Sequence, residues 1–126
     1  MNNLIIERSV ETPEINFNSQ TGVLKVAGRA YSGDITQYYK QMSAWLEEYL
    51  KEPQQTTVIE LQLDYYNSVF IKLLFYFFER SKDVLQSNKK LVIKWFHQKD
   101  DEESIEDALR ISKIISFPIE IVELDE

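Results

Sequence analysis

The chain has no cysteine among its 126 residues, which excludes a disulfide framework, a thiol nucleophile and a thiolate metal site. It has three glycines and one histidine, and it carries neither a glycine-rich phosphate loop nor a pair of histidines at metal-ligand spacing. The longest apolar run covers residues 73–78, far short of the roughly 20 residues that a membrane-spanning helix needs. The N-terminus has no basic segment followed by an apolar stretch, so we expect no signal peptide and a cytoplasmic location.

Positive charge is also scarce. Fourteen Lys and Arg residues stand against 21 Asp and Glu residues, which gives a formal net charge of −7. A chain this acidic lacks the positive field that attracts phosphate backbones and anionic lipids, so we expect neither nucleic acid nor a membrane as partner. Hydrophobic residues make up 44% of the chain, which is enough for a packed core, and the length predicts a single domain over residues 1–126.

The hydrophobic pattern predicts strands and helices in the order ββαβαβαβ. Short alternating or apolar runs bounded by turn residues predict five strands, at residues 14–18, 23–29, 57–64, 91–97 and 119–124. Apolar residues at three- and four-residue steps predict a helix between each later pair of strands. Strands that alternate with single helices form parallel pairs joined by right-handed crossovers. We therefore expect an α/β fold whose mixed five-stranded sheet carries three helices mainly on one face.

Polar residues before each predicted helix are suited to cap its first turn. The candidates are Asp34 for the first helix, Asn67 for the second, and Asp100 or Asp101 for the third. The second helix should run to about Ser87, with Asn88 as a left-handed end. Its core side is predicted to hold Phe70, Leu74, Phe77 and Leu85. The apolar side of the third helix is predicted to hold Ile105, Ala108, Leu109, Ile111, Ile114 and Ile115.

The acidic residues 100–103 and the lone His97 are the only candidates for cation binding or catalysis that stand out. The acidic run lacks calcium-loop spacing, and acidic residues at a helix start stabilise the helix dipole. His97 has no nucleophile or orienting acid beside it in the sequence, so we interpret it as structural or surface-exposed. We expect no metal, no cofactor and no enzymatic activity.

Ser68 follows a predicted strand and directly begins the second helix. The amides at a helix N-terminus are unpaired and carry partial positive charge, so a phosphate on this hydroxyl would be stabilised there. The simpler alternative is that Asn67 and Ser68 only cap the helix. Capping and electrostatic arguments from the sequence alone leave both interpretations open.

The chain as a whole resembles the SiaC-type bacterial regulatory phosphoproteins, which are small proteins with a fold similar to that of STAS (anti-sigma-factor-antagonist) domains. The resemblance covers nearly the whole length and depends on the order and spacing of several short segments. These are Thr12-Pro13, Gly22-Val23-Leu24, Gly28-Arg29-Ala30-Tyr31, Trp45-Leu46, Tyr66-Asn67-Ser68 with Lys72, Ile93-Lys94-Trp95-Phe96-His97, the acidic residues 100–103, and Ser116-Phe117-Pro118.

The resemblance implies a partner switch. In the family, a Ser/Thr kinase phosphorylates a hydroxyl residue after an asparagine, a PP2C-type phosphatase removes the phosphate, and the unmodified form binds and activates a diguanylate cyclase. The matching acceptor in this chain is Ser68. The chain departs from the family pattern at three places. Serine replaces threonine at the acceptor, which keeps the hydroxyl, and the apolar Val69 and Phe70 follow it in place of small polar residues. Tyr31 is followed by Ser32-Gly33, where the family tends to have Pro-Glu.

The partner surface is predicted to extend along the second helix, on the side opposite its core face. Residues placed at 100° steps put polar and aromatic side chains together there, and exposed clustered aromatics often mark contact sites. The predicted surface consists of Asn67, Ser68, Lys72, Phe75, Tyr76 and Glu79. Two other functions stay open: an enzyme or small-ligand binder that uses residues 100–103 with His97, and a constitutive scaffold or homo-oligomer in which Ser68 is buried.

Overall fold

A computed structural model of the chain describes residues 1–31 and 35–124. Its strands are β1 (Leu4–Ile6), β2 (Glu14–Asn18), β3 (Val23–Ala30), β4 (Thr56–Tyr66), β5 (Lys90–His97) and β6 (Glu120–Glu123). Its α-helices are α1 (Ile35–Tyr49), α2 (Ser68–Ser81) and α3 (Glu102–Ile115), and a 3-10 helix at Lys82–Ser87 follows α2. The α/β fold, the three helices and the mixed sheet are as predicted.

The six strands form one sheet in the order of the sequence. β1, β2 and β3 are antiparallel neighbours, whereas β3, β4, β5 and β6 are parallel neighbours. Since each parallel step carries a helix and crossovers are right-handed, α1, α2 and α3 all lie on one face. Side chains alternate across a strand. The strand side chains that face the helices, for example Ile59 and Trp95, form the core together with buried helix residues such as Phe77.

The prediction of five strands is wrong, because β1 adds a sixth. Leu4-Ile5-Ile6 is only three residues long and does not alternate, so the sequence pattern alone does not distinguish it from an irregular terminus. Pairing with β2 makes it a strand, since Leu4 lies opposite Phe17 and Ile6 lies opposite Ile15. A strand this short is stabilised by its neighbour and not by its own propensity.

The hairpin turn between β2 and β3 depends on Asn18 and Gly22. The side-chain oxygen of Asn18 accepts hydrogen bonds from the backbone amides of Gln20 and Thr21, at 2.9 and 3.1 Å. Gly22 has a φ of 77°, which a glycine adopts at little cost. A Cβ atom at this position would lie 2.6 Å from the carbonyl oxygen of Thr56, so both the backbone conformation and the space require glycine.

The end of the second helix differs from the prediction. The α-helix ends at Ser81, and the chain continues to Ser87 as a 3-10 helix before Asn88 turns it with a φ of 59°. A 3-10 helix turns by about 120° per residue instead of 100°, which changes the face that each residue presents. The predicted core residue Leu85 is therefore 40% exposed, and Val84 is buried in its place.

The third helix buries a narrower stripe than predicted. Ala108, Ile111 and Ile115 are buried, whereas Leu109 and Ile114 are each 56% exposed. Of the two candidate caps, Asp101 accepts a hydrogen bond from the amide of Ser104 at 3.1 Å, and Asp100 instead has a φ of 66°. The predicted cap of the first helix, Asp34, lies outside the described residues. No helix in residues 1–31 and 35–124 is long and apolar enough to cross a membrane.

Candidate functional site

The start of α2 is held in place by one backbone hydrogen bond, one side-chain cap and one buried aromatic ring. The amide of Asn67 donates to the carbonyl of Ala30 at 3.0 Å, which ties the end of β4 to β3. The side-chain oxygen of Asn67 accepts from the amide of Phe70 at 2.9 Å, so Asn67 is the N-cap as predicted. Phe70 is fully buried and anchors the first turn in the core. Ser68, the first helical residue, is exposed.

Ser68 borders a cavity of about 240 Å³ between the start of α2 and the side of α3. Its lining consists of Tyr66, Asn67, Ser68, Ile71, Glu103, Asp107 and Arg110. Arg110 forms an ion pair with Asp107, one turn away on α3. Ser68 therefore shares this cavity with two carboxylates and one guanidinium group, and a phosphate on it would add negative charge where acidic groups are already present.

Two hydrogen bonds, one half-buried and one buried, connect α3 to the strands β4 and β5 next to this cavity. The Tyr66 hydroxyl donates to Asp107 at 2.7 Å, and the Trp95 indole donates to the Ser104 hydroxyl at 2.8 Å. The two rings are in contact edge to face, with centroids 5.9 Å apart. Burial raises the pKa of the Tyr66 phenol well above its usual value, so this group stays protonated and keeps donating to Asp107.

The outward face of α2 brings together most of the predicted partner-binding residues. Lys72, Tyr76 and Glu79 are exposed along it, beyond Ser68. The aromatic rings of Phe75 and Tyr76 are in contact edge to face, with centroids 5.4 Å apart. Their environments differ, however, because Tyr76 is 49% exposed whereas Phe75 is half-buried against the core. The prediction that both aromatics are exposed is therefore wrong for Phe75.

Helix α1 adds a polar flank to this face that the sequence did not reveal. Arg80 of α2 forms ion pairs with Glu47 of α1 and with Asp83. The hydrogen bonds from Arg80 hold the pKa of Glu47 below its usual value. The pKa of Tyr39 on α1 is raised, mainly by burial and in part by the nearby Tyr76. Tyr39 of α1 and Tyr76 of α2 are therefore near each other on neighbouring helices.

The acidic run and His97 do not converge on one site. The His97 side chain is buried, and its Nδ1 lies 2.9 Å from the carbonyl of Gln98, so it has a structural contact. Asp101 is used as the α3 cap. The cavity next to Asp101 measures about 120 Å³ and is lined by neither Asp100 nor His97. Within residues 1–31 and 35–124, no three acidic or histidine side chains are placed to hold a metal ion.

Several residues of the site were missed from the sequence. Asp107 and Arg110 line the Ser68 cavity from α3, and only the packing of α3 beside α2 brings them there. Val69 is 50% exposed beside Ser68. A signal for Val69 was present in the sequence, since it lies seven residues before Tyr76 and seven residues return to the same side of a helix.

An α/β domain with an exposed serine hydroxyl at the capped start of a helix has the features of a small signalling phosphoprotein. The chain belongs to the SiaC family of regulatory phosphoproteins, because the model of that family matches residues 6–124.

Comparisons with known proteins agree with this assignment. The crystal structure of the diguanylate cyclase SiaD in complex with its activator SiaC, from Pseudomonas aeruginosa, matches with a TM-score of 0.87 and 25% identity, over 96% of this chain and 99% of the matched chain. Apo-SiaC from the same species matches with a TM-score of 0.80 and 26% identity, over 97% and 99% of the two chains. An uncharacterised protein of P. aeruginosa strain UCBPP-PA14 is 26% identical over the full length of both chains.

Proposed function

We propose that this chain is a non-enzymatic partner-switch protein, which binds and activates a diguanylate cyclase while Ser68 is unphosphorylated. A Ser/Thr kinase would add the phosphate and a PP2C-type phosphatase would remove it. The observation that carries the proposal is the exposed Ser68 hydroxyl at the capped start of α2, in a chain of the SiaC family. We also propose that residues 1–126 form a single STAS-like regulatory domain.

The proposed partner surface consists of Asn67, Ser68, Val69, Lys72, Tyr76 and Glu79, and we call it the α2 surface. Phe75 supports it from beneath. Val69 and Tyr76 supply exposed apolar area, and aromatic residues in such patches often carry much of the binding energy. Ser68 lies at one end of the α2 surface, so a partner that covers Tyr76 and Val69 also covers the hydroxyl.

The proposed switch depends on electrostatics at Ser68. A phosphate adds a charge of about −1.5 to −2 beside Glu103 and Asp107, and Arg110 is already paired with Asp107. A partner that buries Ser68 would have to bury this additional charge, which costs several kcal/mol unless the partner supplies a cation. The phosphorylated form would therefore lose the complex, with no change of fold required.

An exposed Ser68 favours the switch over a constitutive scaffold, since the scaffold hypothesis expected this residue to be buried. The enzyme hypothesis required Asp100, Asp101 and His97 in one polar pocket. The separate environments of His97 and Asp101 therefore favour a binding protein over that enzyme.

The proposal is tested by affinity purification from the native host, combined with intact-mass measurement of the recovered chain. We expect a second species, heavier by one phosphoryl group, that disappears after phosphatase treatment and is absent from the Ser68→Ala variant. A diguanylate cyclase should co-purify with the lighter species only. A Ser68→Ala protein that still acquires the phosphate would place the modification elsewhere and contradict the proposal.

A further inference from the structure

The face of the sheet opposite the helices carries a regular row of charges. Lys25 of β3, Glu60 of β4, Lys94 of β5 and Glu120 of β6 are direct cross-strand partners, so they form one straight line across four strands. The four side chains alternate in sign. Lys25, Glu60 and Lys94 are half-buried and Glu120 is exposed. None of the ion pairs found in the described residues involves any of the four.

Apolar side chains flank this row on both sides. Val23, Val58 and Val92 are cross-strand partners on one side of it. Phe96 and Val122 are partners on the other side, with Gln62 beside Phe96. A row with two positive and two negative charges has no net charge, although the chain as a whole carries −7. Two copies would therefore meet on this face without the local repulsion that the rest of an acidic surface produces.

The charge order makes the face complementary to itself. A two-fold axis parallel to the strands and between β4 and β5 reverses the row, so Lys25 of one copy faces Glu120 of the other and Glu60 faces Lys94. The same operation places Val58 opposite Val92 and Gln62 opposite Phe96. Isologous two-fold contacts of this kind are the commonest interfaces in homo-oligomers, and aligned packing of two sheets is a standard arrangement.

We propose that this open sheet face is a self-association surface on which two copies of the chain pack about that two-fold axis. The spacing of four strands and the rise per residue along them give a contact area of about 500 Å² on each copy. This area is at the low end of the range for specific interfaces. The dimer is therefore weak, with a dissociation constant on the order of 0.1 mM. The α2 surface lies on the helical side and stays accessible in the dimer.

The test is sedimentation velocity of the full chain over a range of concentrations up to about 1 mM. We expect the average mass to rise from 14.9 kDa toward twice that value. Lys94→Glu and Glu60→Lys should each weaken association at least about tenfold, because each places like charges opposite one another. Lys40→Glu, a change of the same size at an exposed position of α1, should associate like the wild type.

Exchanging the charges of Glu60 and Lys94 distinguishes this proposal from a purely structural role of the row of charges. The double variant Glu60→Lys with Lys94→Glu places like charges beside each other within one sheet, but opposite charges face each other across the two-fold axis. It should therefore dimerise like the wild type, and an equal mixture of the two single variants should form heterodimers. Circular dichroism would confirm that each variant is folded.

Two outcomes would overturn the proposal. One is a wild-type mass that stays at the monomer value up to about 1 mM. The other is association that the single charge reversals leave unchanged, which would place the contact on another surface. Ser68→Asp should dimerise like the wild type, so failure of the dimer and failure of the phosphorylation switch are distinguishable.

Discussion

Replacement of Ser68 by aspartate is expected to weaken binding of the cyclase partner at least about 30-fold, which corresponds to about 2 kcal/mol. Aspartate places a negative charge next to Glu103 and Asp107, in a position that the partner must bury. An uncompensated buried charge costs more than the contacts of one serine supply. The fold should be unaffected, because Ser68 is exposed and the cap is provided by Asn67. Isothermal titration calorimetry would give the affinity, and thermal unfolding would check the fold.

Ser68→Ala is the matched control, since it removes the hydroxyl without adding charge. It should bind the partner within about threefold of the wild type, because one exposed hydrogen bond contributes little. If the aspartate variant bound as tightly as the alanine variant, charge at Ser68 would not control the complex.

Tyr76→Ala is expected to have the second large effect, a loss of about 2 kcal/mol or more in partner binding, which is the usual scale for an aromatic anchor. The side chain is 49% exposed, so its removal should change the free energy of unfolding by less than about 1 kcal/mol. Phe75→Ala should instead lower the free energy of unfolding by about 2 kcal/mol, because this ring packs against the core. Separate measurements of affinity and of urea unfolding distinguish the two.

Leu85→Ala is the control for loss of exposed apolar area away from the α2 surface. Leu85 is 40% exposed and lies in the 3-10 helix after α2. Its truncation should leave partner affinity within about twofold. Equal losses of affinity for Tyr76→Ala and Leu85→Ala would show that the partner does not dock specifically along the α2 surface.

Most of the fold was predictable because its signals are local. The apolar stripe of α1, the alternation in β4 and the cap at Asn67 each follow from periodicity or from capping chemistry within a few residues. The differences arose where tertiary pairing decides the structure. β1 exists because β2 offers it a partner, and Leu85 turned outward because α2 changes to a 3-10 helix after Ser81.

The candidate site was predictable only along one helix. Asn67, Ser68, Lys72 and Tyr76 belong to a continuous sequence segment, so helical spacing relates them directly. Asp107 and Arg110 are about 40 positions further along the chain, and they reach Ser68 only because α3 packs beside α2. The charged groups around Ser68 determine how much a phosphate there changes the local electrostatics. These groups can be identified only from the structure, because they come from α3.

We propose above that a phosphate on Ser68 prevents this chain from binding a diguanylate cyclase. The most direct measurement is the affinity of one purified diguanylate cyclase for the unmodified chain and for the same chain carrying phosphoserine at position 68. We expect tight binding of the unmodified chain, loss of binding of the phosphorylated chain, and recovery after phosphatase treatment. Equal affinity of the two forms would contradict it.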